Sequence, residues 1–135
     1  MTLIWDPLYS VNVKEIDDQH KEIFDIINHV HSLAERSIPA DEMVRMIEKL
    51  KAYSVYHFAT EEKYFKQFNY PGAEPHIAQH NLYKERVAEM ERELTTNSGE
   101  SNYRRLDTLL QDWWLGHIQN IDMQYSDFFN DHGLF

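Results

Sequence analysis

Apolar residues return at helical spacing through four stretches of the chain. In the first, Ile16, Ile23, Ile27 and Val30 recur with His20 among them, as on one buried helix face. Asp17 or Asp18 is placed to cap its start. The second stretch runs from about Asp41 to Phe68, with Met43, Ile47, Leu50, Ser54, His57, Glu61 and Phe65 along one side. The third begins near Glu74-Pro75, where proline is harmless because a first-turn N–H has no helical partner. His76, His80, Tyr83, Val87, Met90 and Leu94 line its face. The fourth carries Leu106, Leu109, Leu110, Trp113, Trp114 and His117, and a tail adds Tyr125, Phe128 and Phe129.

Short breaks separate these stretches: Ser37-Ile38-Pro39, the turn Asn69-Tyr70-Pro71-Gly72, and Thr95 to Glu100 with Asn97-Ser98-Gly99 at its centre. Residues 1–15 form an arm containing Trp5, Pro7 and Tyr9. Four Gly and four Pro favour long helices over a many-turned β fold. Long amphipathic helices on short loops predict an all-α, up-down-up-down four-helix bundle with an N-terminal arm. With no repeat, linker or low-complexity segment, residues 1–135 are expected to form a single domain.

Composition narrows the function classes. A formal charge of −10 without a Lys/Arg stripe argues against nucleic acid as a partner. No apolar run approaches the roughly 18 residues of a membrane span, and no basic-then-apolar leader opens the chain. The absence of Cys excludes disulfides, thiolate metal sites and Cys nucleophiles, and a cytoplasmic location is expected.

The candidate chemistry lies on the same faces as the core. His57 and Glu61 form H-F-A-T-E, and His76 and His80 form H-I-A-Q-H. Each pair is four residues apart, so its side chains project from one face, one above the other. His20 and His117 occupy inner positions on the remaining helices, and Asp122 follows His117. Five imidazoles and two carboxylates are too many ligands for one metal and suit two that share the carboxylates. The carboxylates would also offset the charge of two divalent cations in a low-dielectric core. Two six-coordinate metals bridged by both carboxylates and one oxygen would keep one position open for a small ligand. His117 and Asp122 are awkwardly spaced, because five residues place them about 140° apart on a regular helix. They converge only if the helix is distorted, for instance by a π-type bulge, or ends there; Gly116 is a place where the backbone could yield. His29, His31 and His132 lack this context and are expected to be surface or ordinary core residues.

The runs V-K-E-I-D-D-Q-H-K-E-I-F, H-F-A-T-E-E, Y-P-G-A-E-P-H-I-A-Q-H and W-W-L-G-H-I-Q-N-I-D resemble the hemerythrin family, from about Val11 to Phe129. The resemblance implies a di-iron centre. His76, His80 and His117 would hold one iron, and His20 and His57 the other, which keeps the open position. Glu61, Asp122 and an oxo or hydroxo group would bridge them. It implies reversible dioxygen binding for storage or delivery, with no catalysis, small anions as ligands of the diferric form, and an oxygen-consuming enzyme as a recipient. Other readings are an oxygen- or iron-sensing module acting through a partner, and a di-iron enzyme consuming peroxide or nitric oxide. Trp113, Trp114 and Ile118 are candidates for the oxygen pocket. The family usually has Leu where this chain has Trp114. A residue three before His117 shares its helix face, so Trp114 is expected near the open iron.

Overall fold

The four periodic stretches are helices α1 (Lys14–Glu35), α2 (Ala40–Phe68), α3 (Ala73–Thr96) and α4 (Glu100–Asn120), followed by a short α5 (Ser126–Asp131). The structure is a computed structural model that describes residues 2–36, 39–96 and 100–135. Ser37-Ile38 and Asn97-Ser98-Gly99, read as breaks in the sequence, lie outside the described residues. Each long helix packs on the next in chain order, and α4 closes the ring against α1. With short connections this is the antiparallel four-helix bundle, and no strand occurs among the described residues.

Helix α1 begins earlier than its expected cap. Val13 is the N-cap residue and makes no side-chain cap bond, so Asp17 falls within the first turn, where its charge suits the helix dipole. The Asp17 carboxylate instead holds the arm, accepting from Ser10 Oγ at 2.5 Å and Val11 N at 2.8 Å. Asp18 is taken by Lys14 Nζ at 2.7 Å. The arm is fixed again where Leu3 exchanges two hydrogen bonds with the Asn28 amide, and where Trp5 and Tyr9 pack on Phe24. Helix α2 ends as its sequence asks: Asn69 takes the left-handed conformation (φ 54°), and Tyr70 N donates to Phe65 O at 2.9 Å. A side chain at Gly72 would meet the Tyr70 ring at 2.9 Å and would have to displace it.

The core is in two parts. A large cluster includes Ile27, Val30, Met43, Ile47, Leu50, Val87, Leu106 and Leu110, and a smaller one holds Val11, Val13, Ile16, Phe65, Tyr125 and Phe129. His20 falls between Ile16 of one cluster and Ile23 of the other, and His57 and Glu61 between Leu50 and Phe65. A buried polar layer therefore divides the apolar interior.

Helix α4 settles the awkward spacing. It stops at Asn120, Ile121 stays in the right-handed helical region with its N–H still donating to His117 O at 2.9 Å, and Asp122–Tyr125 form a 3-10 turn. No bulge is needed, because the helix ends between His117 and Asp122 and the tighter turn swings the carboxylate inward. Gly116 stays within regular helix.

Candidate metal centre

All seven candidate ligands meet in the polar layer. His20, His57, Glu61, His80 and Asp122 are fully buried, while His76 and His117 keep 3% and 4% of their surface. Two sets of ligand atoms form, each within 4.8 Å: Glu61, His76, His80 and His117 in one, and His20, His57, Glu61 and Asp122 in the other. Asp122 faces both ways. Its Oδ2 lies 3.0 Å from His20 Nε2, and its Oδ1 lies 2.9 Å from both His76 Nε2 and His117 Nε2. Glu61 turns Oε1 toward His80 Nε2 at 3.1 Å, His57 Nε2 at 3.4 Å and His76 Nε2 at 3.8 Å. Its Oε2 accepts from the Tyr125 hydroxyl.

Close approach here is not hydrogen bonding. Nε2 of His76, His80 and His117, Oε1 of Glu61 and both oxygens of Asp122 are buried without a hydrogen-bond partner. Their angles aim them past one another. Buried polar atoms are nearly always paired, so a convergent set of orphans needs an explanation. His20 Nε2 and His57 Nε2 also stand 3.1 Å apart. Two imidazole lone pairs that close repel unless a proton or a cation sits between them. Nitrogen and carboxylate donors converging on common points match what divalent iron takes, so the residues fit a two-metal cluster.

Outer contacts prepare the imidazoles. His57 Nδ1 is 2.7 Å from Gln19 Oε1, and Gln19 Nε2 donates to Thr60 Oγ1 at 3.1 Å. His80 Nδ1 is 2.9 Å from Glu62 Oε2. An acceptor at Nδ1 holds the proton there and leaves Nε2 bare toward the cluster. Burial favours the same neutral form. It pushes His57 well below the usual imidazole range, with the His20 charge adding to the effect. It takes His80 down to about 3, against the opposing pull of Glu62. The carboxylates divide. Burial and the charge of Asp122 push Glu61 well up, whereas Asp122 overcomes its own desolvation through His117, His20 and His76 and is held low.

Aromatic rings wall the layer. Trp114 is fully buried and lies face-on to Phe58 at 5.6 Å, and Phe58 in turn stacks on His80 at 3.9 Å. The indole is 5.8 Å from the His57 ring, and its N–H donates to Tyr83 Oη at 3.2 Å. Trp114 thus spans the bundle from α4 to α3 beside the two-histidine set. Trp113 is different: it is partly exposed and stacks on His117 at 4.2 Å, against the three-histidine set. Ile118 is fully buried in the large apolar cluster.

Sequence reasoning missed Gln19, Thr60, Glu62 and Tyr125 as supports of the cluster. Gln19 and Glu62 adjoin the ligands His20 and Glu61, but each serves a histidine on another helix, so local spacing carried no signal. The histidines left aside do stand apart. His29 and His132 are exposed, and His31 pairs with Asp107 at 2.6 Å, well along α1 from His20.

The model of the hemerythrin HHE cation-binding domain matches residues 11–128. A bacteriohemerythrin of Stenotrophomonas maltophilia is 31% identical over 125 residues, covering 93% of this chain and 80% of that one. The myohemerythrin of Sipunculus nudus is 29% identical over 123 residues, covering 91% and 90%. A crystal structure of wild-type hemerythrin superposes with a TM-score of 0.82 at 26% identity, covering 94% of this chain and 97% of that one. The family model spans all seven residues of the polar layer, and by that match the chain belongs to the hemerythrin family.

Proposed function

We propose that this protein is a non-haem di-iron protein that binds dioxygen reversibly, storing it or delivering it to an oxygen-consuming enzyme. One observation carries the reading: two sets of four buried ligand atoms share Glu61, one with three histidines and the other with two. His76, His80 and His117 would hold one iron and His20 and His57 the other, with Glu61 and Asp122 shared between them. Two ferrous ions in this site would supply the electrons on which dioxygen binding draws. The protein does the rest. Neutral His57 and His80 present bare Nε2 atoms, Gln19 and Glu62 fix their rings, and Tyr125 holds the outer oxygen of Glu61. The two-histidine half, one ligand poorer, keeps the open position, with Trp114 beside it. The 135 residues act as one domain, and their lack of cysteine suits the cytoplasm.

The test is iron analysis together with an absorption spectrum through one cycle of deoxygenation and reoxygenation. Two irons per chain and a spectrum that returns on reoxygenation are expected. One metal per chain, mainly zinc after iron-replete growth, or irreversible bleaching in oxygen would sink the proposal.

A further inference from the structure

Gly116 is the starting observation. It sits inside α4, where glycine weakens a helix relative to alanine. A glycine inside a helix can serve backbone freedom or close packing. Neither applies here. The backbone around Gly116 is regular helix, and a Cβ built on it would meet nothing within 4 Å. What the missing side chain leaves is space, and that space lies over a cluster residue. Gly116 and His117 line the same surface cleft of about 270 Å³ between α3 and α4, with Gln79, Asp112, Trp113 and Asn120 around them. A second cleft of about 180 Å³ adjoins it across Gln79 and Ile121 and reaches His76.

His76 and His117 are the two cluster residues that are not wholly sealed. The clefts therefore meet the cluster where its wall is thinnest. Their rim has the right chemistry for a hydrated cation. Asp112, Gln79 and Asn120 are exposed and offer hard oxygen donors, and the net charge of −10 draws cations toward the surface. Asp112, Gly116 and Asn120 are spaced four apart, so carboxylate, gap and amide share one face of α4. The half-exposed Trp113 ring lies flat on His117 at 4.2 Å and covers it. His117 Nδ1 has no hydrogen-bond partner, whereas His57 and His80 are each anchored through theirs, so His117 has no such bond to break when its ring turns.

We infer that metal enters the cluster through this cleft, past Asp112 and over Gly116, with His117 as the first cluster residue it meets and Trp113 as the movable cover. The inference rests on the reading that the seven residues hold metal. Entry by this route fills the three-histidine half from solvent, whereas the two-histidine half has no exposed member.

Anaerobic mixing of metal-free protein with Co²⁺, followed by absorbance and by final metal content, tests it. Gly116→Leu places a side chain in open space, so the fold should survive. If passing that side chain is as unfavourable as a typical overpacked contact, uptake slows by about tenfold. Release to a chelator should slow equally, with two Co²⁺ per chain still bound at the end. Gly116→Ala should load near the wild-type rate, because its Cβ stays clear of the passage. Asp112→Asn should slow uptake and flatten its dependence on ionic strength, an arm that stands even if the leucine variant misfolds. Wild-type loading rates in both Gly116→Leu and Asp112→Asn would overturn the route while leaving the site intact. Wild-type protein that takes up no Co²⁺ would overturn the site reading itself.

Discussion

The two halves of the cluster are built to different rules. The three-histidine half lies near the surface: His76 and His117 reach solvent clefts, and His80 is steadied by the partly exposed Glu62. The two-histidine half has one imidazole fewer and is sealed, with His20 and His57 at zero exposure and the buried Gln19 as an outer support. The difference shows how one polar layer separates two tasks. On the proposed assignment, ligand number would hold a metal where water can reach, and burial would keep a position open where bulk water cannot compete. Trp114 falls on the sealed side and Trp113 on the exposed side, although they are neighbours in sequence.

Removing metal should have the largest effect, because it dissolves both halves together. The ligands come from all four long helices and the turn after α4, so metal binding is also folding energy. The metal-free protein should melt well below the loaded one by calorimetry, and equal melting temperatures would show that the layer contributes little. The metal-free form should also be acid-sensitive. Folding holds His57 well below, and His80 at about 3 against, the ordinary value of 6.5. Between pH 6.5 and 3 these two histidines bind more protons in the unfolded chain than in the folded one, against one opposing proton from the raised Glu61, so stability falls as pH drops through that window. Urea melts at pH 7 and pH 5 test this, and an unchanged midpoint would contradict it.

Single ligands come next. His57→Ala strips one of the two imidazoles from the sealed half and should abolish oxygen binding. His132→Ala should leave the oxygenated spectrum unchanged, because His132 is exposed and its ring meets the Phe128 carbonyl, Phe68 and Phe128 rather than the polar layer. Retained oxygenation in the first variant would remove the distinction between the halves.

Outer supports should separate the halves more finely. Loss of such a partner generally lowers metal affinity about 10- to 100-fold. Gln19→Leu should fall at the upper end, since water cannot replace a support inside the sealed half. Glu62→Leu should fall at the lower end, because its site is open to solvent. Metal competition titrations read both, and a reversed order would break the comparison.

Trp114→Leu should have the smallest effect on the cluster itself. Its indole fills space beside His57 and donates to Tyr83, so the variant opens volume and leaves Tyr83 without that donor. Oxygen association and small-anion binding to the diferric form should accelerate together, with iron content unchanged. Identical stopped-flow entry rates in the two proteins would show that Trp114 does not guard the passage.

Much of this was legible before the fold. Period-3.6 patterning located all four helices, and the i, i+4 pairs His57/Glu61 and His76/His80 could face only one way on a helix. Five imidazoles and two acids on inner faces then had few uses other than metal, because burying them unpaired is costly. Where α1 begins was less legible: the arm claimed Asp17, a choice made by tertiary contact with Ser10 and Val11.

The sequence by itself determined the helices, the inward faces and the candidate ligands, because these follow from local periodicity and donor chemistry. Only the tertiary structure decided how the ligands divide: which oxygen of Asp122 faces which histidines, which outer residue steadies which ring, and which half touches solvent. Each of these is a relation between helices far apart in sequence. Such relations depend on how side chains pack across the bundle, and no spacing along a single helix encodes them.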